Sequence, residues 1–112
     1  MDEKRKHNRY SVSEMTFVVG LESLGLITDV SDSGLGVRYK GAEELPDEMV
    51  VDLLSATKSV IIDQVRCRKV RDEIVGRVAV FSYISERRLG LEFMEPTSQQ
   101  LNALELFKGK EN

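Results

Sequence analysis

The chain has 112 residues, 41% hydrophobic and 31% charged, with a formal net charge of −3, which fits one domain with a small core and excludes a wholly disordered chain. The acidic balance argues against a nonspecific binder of nucleic acid polymers, and no apolar run approaches the roughly 20 residues that span a bilayer, so no membrane insertion is expected. A single cysteine, Cys67, rules out an intrachain disulfide, and the charged N-terminus lacks the apolar core of a secretory signal, so the expected location is cytoplasmic.

Residues 1–13 are polar and without period, and read as a mobile N-terminal arm; residues 14–112 read as the folded domain. Met15 to Leu21 is rich in Thr, Phe and Val and reads as a first strand. Leu24 to Ser31 and Leu35 to Tyr39 follow as strands joined through the turn residues Asp32-Ser33-Gly34. Lys40 to Glu48 reads as a loop and Met49 to Leu54 as a fourth strand. Ser59 to Val70 is a longer strand whose pattern changes near Ile61-Ile62-Asp63, which predicts a bulge. Arg71-Asp72-Glu73 reads as a turn and Ile74 to Ile84 as a strand. Leu89, Leu91 and Phe93 then alternate with Gly90 and Glu92, a half-buried strand. The pattern leaves the register between residues 63 and 87 open. Pro96 precedes Thr97-Ser98-Gln99-Gln100, a capping-box sequence, with Leu101, Leu104 and Phe107 at helical spacing and Gly109 as the stop. Short antiparallel strands and one terminal helix predict an all-β domain, closed or nearly so.

Several kinds of chemistry have no home in this sequence. One histidine (His7) and one cysteine make neither a zinc constellation nor the usual nucleophile pair. Cys67 alternates with Arg66 and Arg68, which puts the thiol on an apolar face as a structural residue. Gly34-Leu35-Gly36 lacks the third glycine and the helix of a dinucleotide fingerprint, and no phosphate loop of the nucleotide-hydrolase kind occurs. No enzyme is expected.

Recognition chemistry is better represented. Arg5 and Arg9 lie four positions apart, about 13–14 Å if extended. Arginine binds phosphate bidentately and reads the O6/N7 edge of guanine. Asp29 and Ser31, two apart on a strand, would present an acceptor and a hydroxyl on one face, and a carboxylate accepts from the N1 and N2 donors of guanine. Gly34 would supply backbone freedom where the chain leaves that face. Such a site would reject adenine, because each unpaired buried polar group costs ~1–3 kcal/mol. Each motif alone also fits a blander reading, a solvated basic tail and ordinary turn chemistry.

Arg5-x-x-x-Arg9 followed by Asp29-x-Ser31-x-x-Gly34 resembles the paired signature of PilZ domains, bacterial receptors for cyclic di-GMP. Arg88-Leu89-Gly90-Leu91-Glu92-Phe93 is similar to the family's closing strand, and the resemblance covers most of the chain. It implies a six-stranded antiparallel barrel with a short C-terminal α-helix and an arginine arm over the outer face. It also implies that Arg5 and Arg9 take guanine and phosphate, that Asp29 and Ser31 take a guanine edge, and that Gly34 shapes the turn. Lys4 stands immediately before the first arginine, where a basic residue in the family favours an intercalated pair of ligands. The implied function is a stand-alone receptor, monomer or weak dimer, that orders its arm on binding and relays the signal to an effector protein. That effector would act in motility, surface attachment or polysaccharide production. The alternatives are a ligand-independent adaptor of the same fold, and binding of single-stranded nucleic acid through Arg66 to Arg71.

Overall fold

Alternation of apolar and polar residues along short segments builds strands with one inward and one outward face. The computed structural model describes residues 8–12, 15–21, 23–41, 44–77 and 85–111. Its strands are β1 (Tyr10–Ser11), β2 (Thr16–Val19), β3 (Gly25–Ser31), β4 (Gly34–Gly41), β5 (Glu48–Ser55), β6 (Val60–Arg77) and β7 (Ser85–Phe93). All pairings are antiparallel in the order β3-β2-β5-β6-β7-β4, and β4 returns to β3, which closes the six-stranded barrel. Val18, Val37, Val51, Cys67, Leu89 and Leu91 fill its interior. Closure gives each of the six barrel strands a partner on both sides over part of its length, and β6 beyond Arg68 pairs with β7 alone.

The C-terminal helix α1 (Ser98–Leu104) begins as the sequence predicts. Gln100 N–H donates to Thr97 Oγ1 at 3.0 Å, and Thr97 N–H donates back to Gln100 Oε1 at 3.0 Å. A 3₁₀ turn, Glu105–Phe107, follows, and Leu104 and Phe107 are buried in the core. The Gln100 amide donates to the carbonyls of Asp63 and Gln64 and so pins the helix to β6. Those two residues form the expected bulge: Gln64 takes a φ of 54°, and its N–H donates to Asp52 of β5.

Three readings change. The turn expected at Arg71-Asp72-Glu73 does not exist, because β6 runs without a break to Arg77. Asp72 is inside an ion cluster instead: both its oxygens accept from Arg87 at 3.0 Å, and Lys69 Nζ lies 3.7 Å away. Ladder shifts between Lys69 and Arg71, and between Ile74 and Gly76, absorb the irregular period. Second, the part of the arm from Arg9 to Val12 is docked. Tyr10 pairs with Val30, Ser11 pairs with Asp29, and Tyr10 and Val12 pack against the core. Third, Gly109 is no helix stop. Lys108 already leaves the turn extended, and a Cβ at Gly109 would come within 2.9 Å of the Ser11 carbonyl.

Candidate ligand-binding site

A bulge in β3 creates the site. Ile27 faces the core opposite Val37, and strict alternation would send Asp29 inward as well. Thr28 is an extra residue between the pairs Ile27–Val37 and Asp29–Gly36, so Asp29 turns outward and Val30 takes the next core position. Arg9, immediately before β1, places Nη2 2.6 Å from Asp29 Oδ1. The same oxygen accepts from the Gly36 N–H at 3.1 Å. Both side chains are about a quarter exposed, 23% for Arg9 and 28% for Asp29.

This pair borders an open cleft of about 560 Å³ on the outer face of the barrel. Its floor is one row of residues across four strands: Asp29 pairs with Gly36, Gly36 with Gly90, and Gly90 with Arg71. The two glycines leave the middle of the row bare. Four arginines, Arg9, Arg38, Arg71 and Arg88, line the walls against two carboxylates, Asp29 and Glu92. Arg38 bonds Glu86 across the ladder and holds that carboxyl below its ordinary pKa. The cleft therefore presents a cationic wall over a flat floor, suited to a planar anion.

Solved structures give this geometry a context. No family model matches the chain, and no curated protein matches it. The chain superposes on K. pneumonia MrkH in complex with c-di-GMP with a TM-score of 0.71, at 13% identity, over 95% of this chain and 51% of that one. It superposes on the PilZ domain of Escherichia coli YcgR with c-di-GMP with a TM-score of 0.67, at 14% identity, over 92% and 87% of the two chains. The fold is that of a PilZ domain. Apo MrkH matches as well, with a TM-score of 0.61 at 13% identity; this chain spans about half the length of the MrkH chains.

Within this PilZ-like barrel the sequence-derived residues fare differently. Arg9 and Asp29 come together. Lys4 and Arg5 lie outside the described residues. Ser31 does not line the cleft: it is fully buried, and its hydroxyl contacts the Ser33 hydroxyl at 3.0 Å and accepts from the Ser33 N–H at 3.2 Å. Ser33 lines the cleft in its place. Gly34 lines it too, but for another reason than turn freedom. A Cβ there would sit 2.1 Å from the Leu91 carbonyl oxygen, so glycine is required by the close approach of β7.

Sequence reasoning missed Gly36, Arg38, Arg71 and Arg88. Gly36 is needed there for a reason only the fold shows: a Cβ would lie 2.8 Å from Asp29 Oδ1 and displace it. In the Arg66-to-Arg71 cluster, Arg71 lines the cleft and the other cations have partners. Arg66 pairs with Glu95 at 3.1 Å, Arg68 pairs with Glu92, and Lys69 is buried against the Leu45 carbonyl at 2.8 Å. Cys67 is buried as expected. No helix among the described residues is long and apolar enough to cross a membrane.

Proposed function

We propose that this chain is a non-enzymatic receptor that binds cyclic di-GMP on the outer face of the barrel. The observation that carries the reading is the Arg9–Asp29 contact at the edge of a glycine-floored, arginine-walled cleft. Two of the structural neighbours are complexes with c-di-GMP, which supports the choice of ligand. Asp29 and Arg71 stand three strand spacings apart along the bare row, roughly 14 Å at about 4.8 Å per step. That span matches a dinucleotide lying flat, with Asp29 accepting from the N1 and N2 donors of one guanine. Arg9, with Arg5, takes guanine and phosphate, and Arg38, Arg71 and Arg88 add positive charge where the remaining phosphate and base would lie. Ser31 acts indirectly by fixing the turn that presents Ser33, and Lys4 favours a second, stacked ligand.

The bound state is relayed to an effector protein in the cytoplasm. An adaptor role independent of ligand is the second reading, favoured by one observation: Leu26, Phe17, Leu54 and Ile61 form a cross-strand apolar row on the outer face, with Ile61 66% exposed.

Titration calorimetry of the full chain with cyclic di-GMP tests the receptor reading. Binding is expected at micromolar ligand or below, lost in Arg9→Ala and Asp29→Ala with the fold retained. Absence of heat at tens of micromolar ligand would overturn it and leave the adaptor reading.

A further inference from the structure

Away from the cleft, one ammonium group joins three elements on which the cleft depends. Lys108, just past the 3₁₀ turn, places Nζ 2.6 Å from Asp32 Oδ1 and 2.6 Å from Glu105 Oε2. The same Nζ lies 4.8 Å from the centroid of the Tyr10 ring. Its side chain is only 11% exposed. Burial works against the charge, but the hydrogen bonds that Lys108 donates to Asp32 and Glu105 outweigh it and raise its pKa above the ordinary value, so the group stays an ammonium. Asp32 opens the β3–β4 turn, whose next residues, Ser33 and Gly34, line the cleft. Tyr10 is the neighbour of Arg9.

Beyond Lys108 the chain continues along the free edge of β1. Gly109 N–H donates to the Ser11 carbonyl at 2.6 Å, Ser11 N–H donates to the Lys110 carbonyl at 2.8 Å, and Tyr10 bridges to Glu111. Lys110 N–H adds a bond to Ser11 Oγ at 3.0 Å. Two residues of β1 would be a weak strand with β3 as sole partner. With β3 on one edge and residues 109–111 on the other, β1 is held on both sides, and Arg9 leaves it at a fixed place over Asp29.

We infer that Lys108 is a positioning residue for the cleft, and that through it the C-terminal segment 108–111 sets the placement of Arg9 and of the β3–β4 turn. This rests on the reading of the cleft as a cyclic di-GMP site. Holding Arg9 in place before binding removes an ordering cost from the binding step. Linkage makes the effect reciprocal: ligand tightens the C-terminal segment, and a partner that draws the segment off β1 weakens ligand by the same factor.

The test compares Lys108→Met, which keeps the aliphatic stem, with Lys108→Arg, which keeps the charge, and with Thr97→Ala, which weakens the helix cap without touching the tether. Amide exchange of Ser11 reads the hold on β1 without ligand. It is expected to quicken about tenfold in Lys108→Met and to return toward wild type in Lys108→Arg, while amides of Val37 and Leu89 stay protected. Calorimetric titration with cyclic di-GMP is expected to show Kd raised about tenfold in Lys108→Met, largely restored in Lys108→Arg, and unchanged in Thr97→Ala. Unchanged Ser11 exchange, an unchanged Kd, or an equal loss in Thr97→Ala overturns the inference. A wild-type chain that binds no cyclic di-GMP overturns the ligand reading and the coupling together; a wild-type chain that binds, beside an equally tight Lys108→Met, overturns the coupling alone.

Discussion

Gly34 and Gly36 stand two apart on β4 and line the same cleft, yet a methyl group at each meets a different obstacle. At Gly34 the added Cβ would lie 2.1 Å from the Leu91 carbonyl oxygen and 3.1 Å from the Glu92 Cα, both backbone of a strand paired on its two sides. Relief requires β4 and β7 to part by about an ångström, an overpacking of ~2–4 kcal/mol. At about 4–8 °C per kcal/mol for a domain near this size, the melting midpoint should fall by roughly 8–32 °C. At Gly36 the added Cβ would meet Asp29 Oδ1 at 2.8 Å and Thr28 Oγ1 at 2.9 Å, both ends of side chains that can rotate. Stability should change by less than about 1 kcal/mol, because alanine also relieves the entropic cost of a glycine in a strand. The Asp29 carboxylate, however, must leave the position where Gly36 N–H and Arg9 hold it. A carboxylate moved from there loses at least one hydrogen bond from guanine, worth ~1.5–3 kcal/mol to a charged acceptor, which weakens cyclic di-GMP binding by roughly 10- to 150-fold. Thermal melts by circular dichroism, paired with calorimetric titration, separate the two effects. Gly34→Ala should lose stability, and Gly36→Ala should melt normally but bind poorly. A Gly36→Ala chain with wild-type affinity, or a Gly34→Ala chain with a wild-type midpoint, would refute the reasoning.

Arg71→Ala should leave the melting midpoint unchanged and raise the Kd for cyclic di-GMP by about tenfold, since its charge faces the far end of the bare row; equal affinity in titration would remove Arg71 from the site. Asp72→Ala leaves Arg87 buried without its partner, so urea unfolding should show a loss of about 3–5 kcal/mol, and a loss below 1 would mean that the cluster is solvated. Burial pushes the Cys67 thiol from 9.0 up to about 12. The unfolded chain releases this proton near pH 9 while the folded chain keeps it, so stability falls as pH rises from 9 toward 12, at up to about 1.4 kcal/mol per pH unit. Urea unfolding at pH 8 and pH 10 should show this slope in the wild type and not in Cys67→Ala; parallel behaviour of the two chains would contradict it.

What was legible in the sequence follows a physical division. Period-two alternation reports burial directly, so the strands around Leu35–Tyr39 and Leu89–Phe93 and the capped helix at Thr97 could be read locally. The segment Arg71-Asp72-Glu73 could not. Three successive charges look like a turn, and the guanidinium that takes both oxygens of a buried Asp72 belongs to Arg87, fifteen residues onward. The Arg9–Asp29 half of the site was visible as paired motifs. The half formed by Gly36, Gly90 and Arg71 depends on cross-strand register, and the bulges that set the register leave no local signature. Ser31 was read as a ligand contact because it shares the phase of Asp29 on β3; its buried hydroxyl is instead engaged by the Ser33 hydroxyl and N–H within the turn.

The bulges explain why the two charged ends of the row face outward at all. Thr28 is the extra residue that turns Asp29 away from a core in which Ile27 sits. On the opposite side, Lys69 pairs with the buried Leu91 and Arg71 with Gly90, leaving Val70 as the extra residue in β6. Were Val70 an ordinary member of the ladder, alternation from Lys69 would point Arg71 inward and Asp72 toward solvent, reversing both. Each bulged residue is exposed, as expected of a position removed from the ladder. One bulge in each of two strands thus does two jobs: by taking Thr28 and Val70 out of the alternation it leaves the Asp29 carboxylate and the Arg71 guanidinium on one outer row, and Asp72 turned in to meet Arg87. The charge that lines the cleft and the charge that anchors the barrel are set by the same irregularity in β6, so the site cannot be re-registered without disturbing the core.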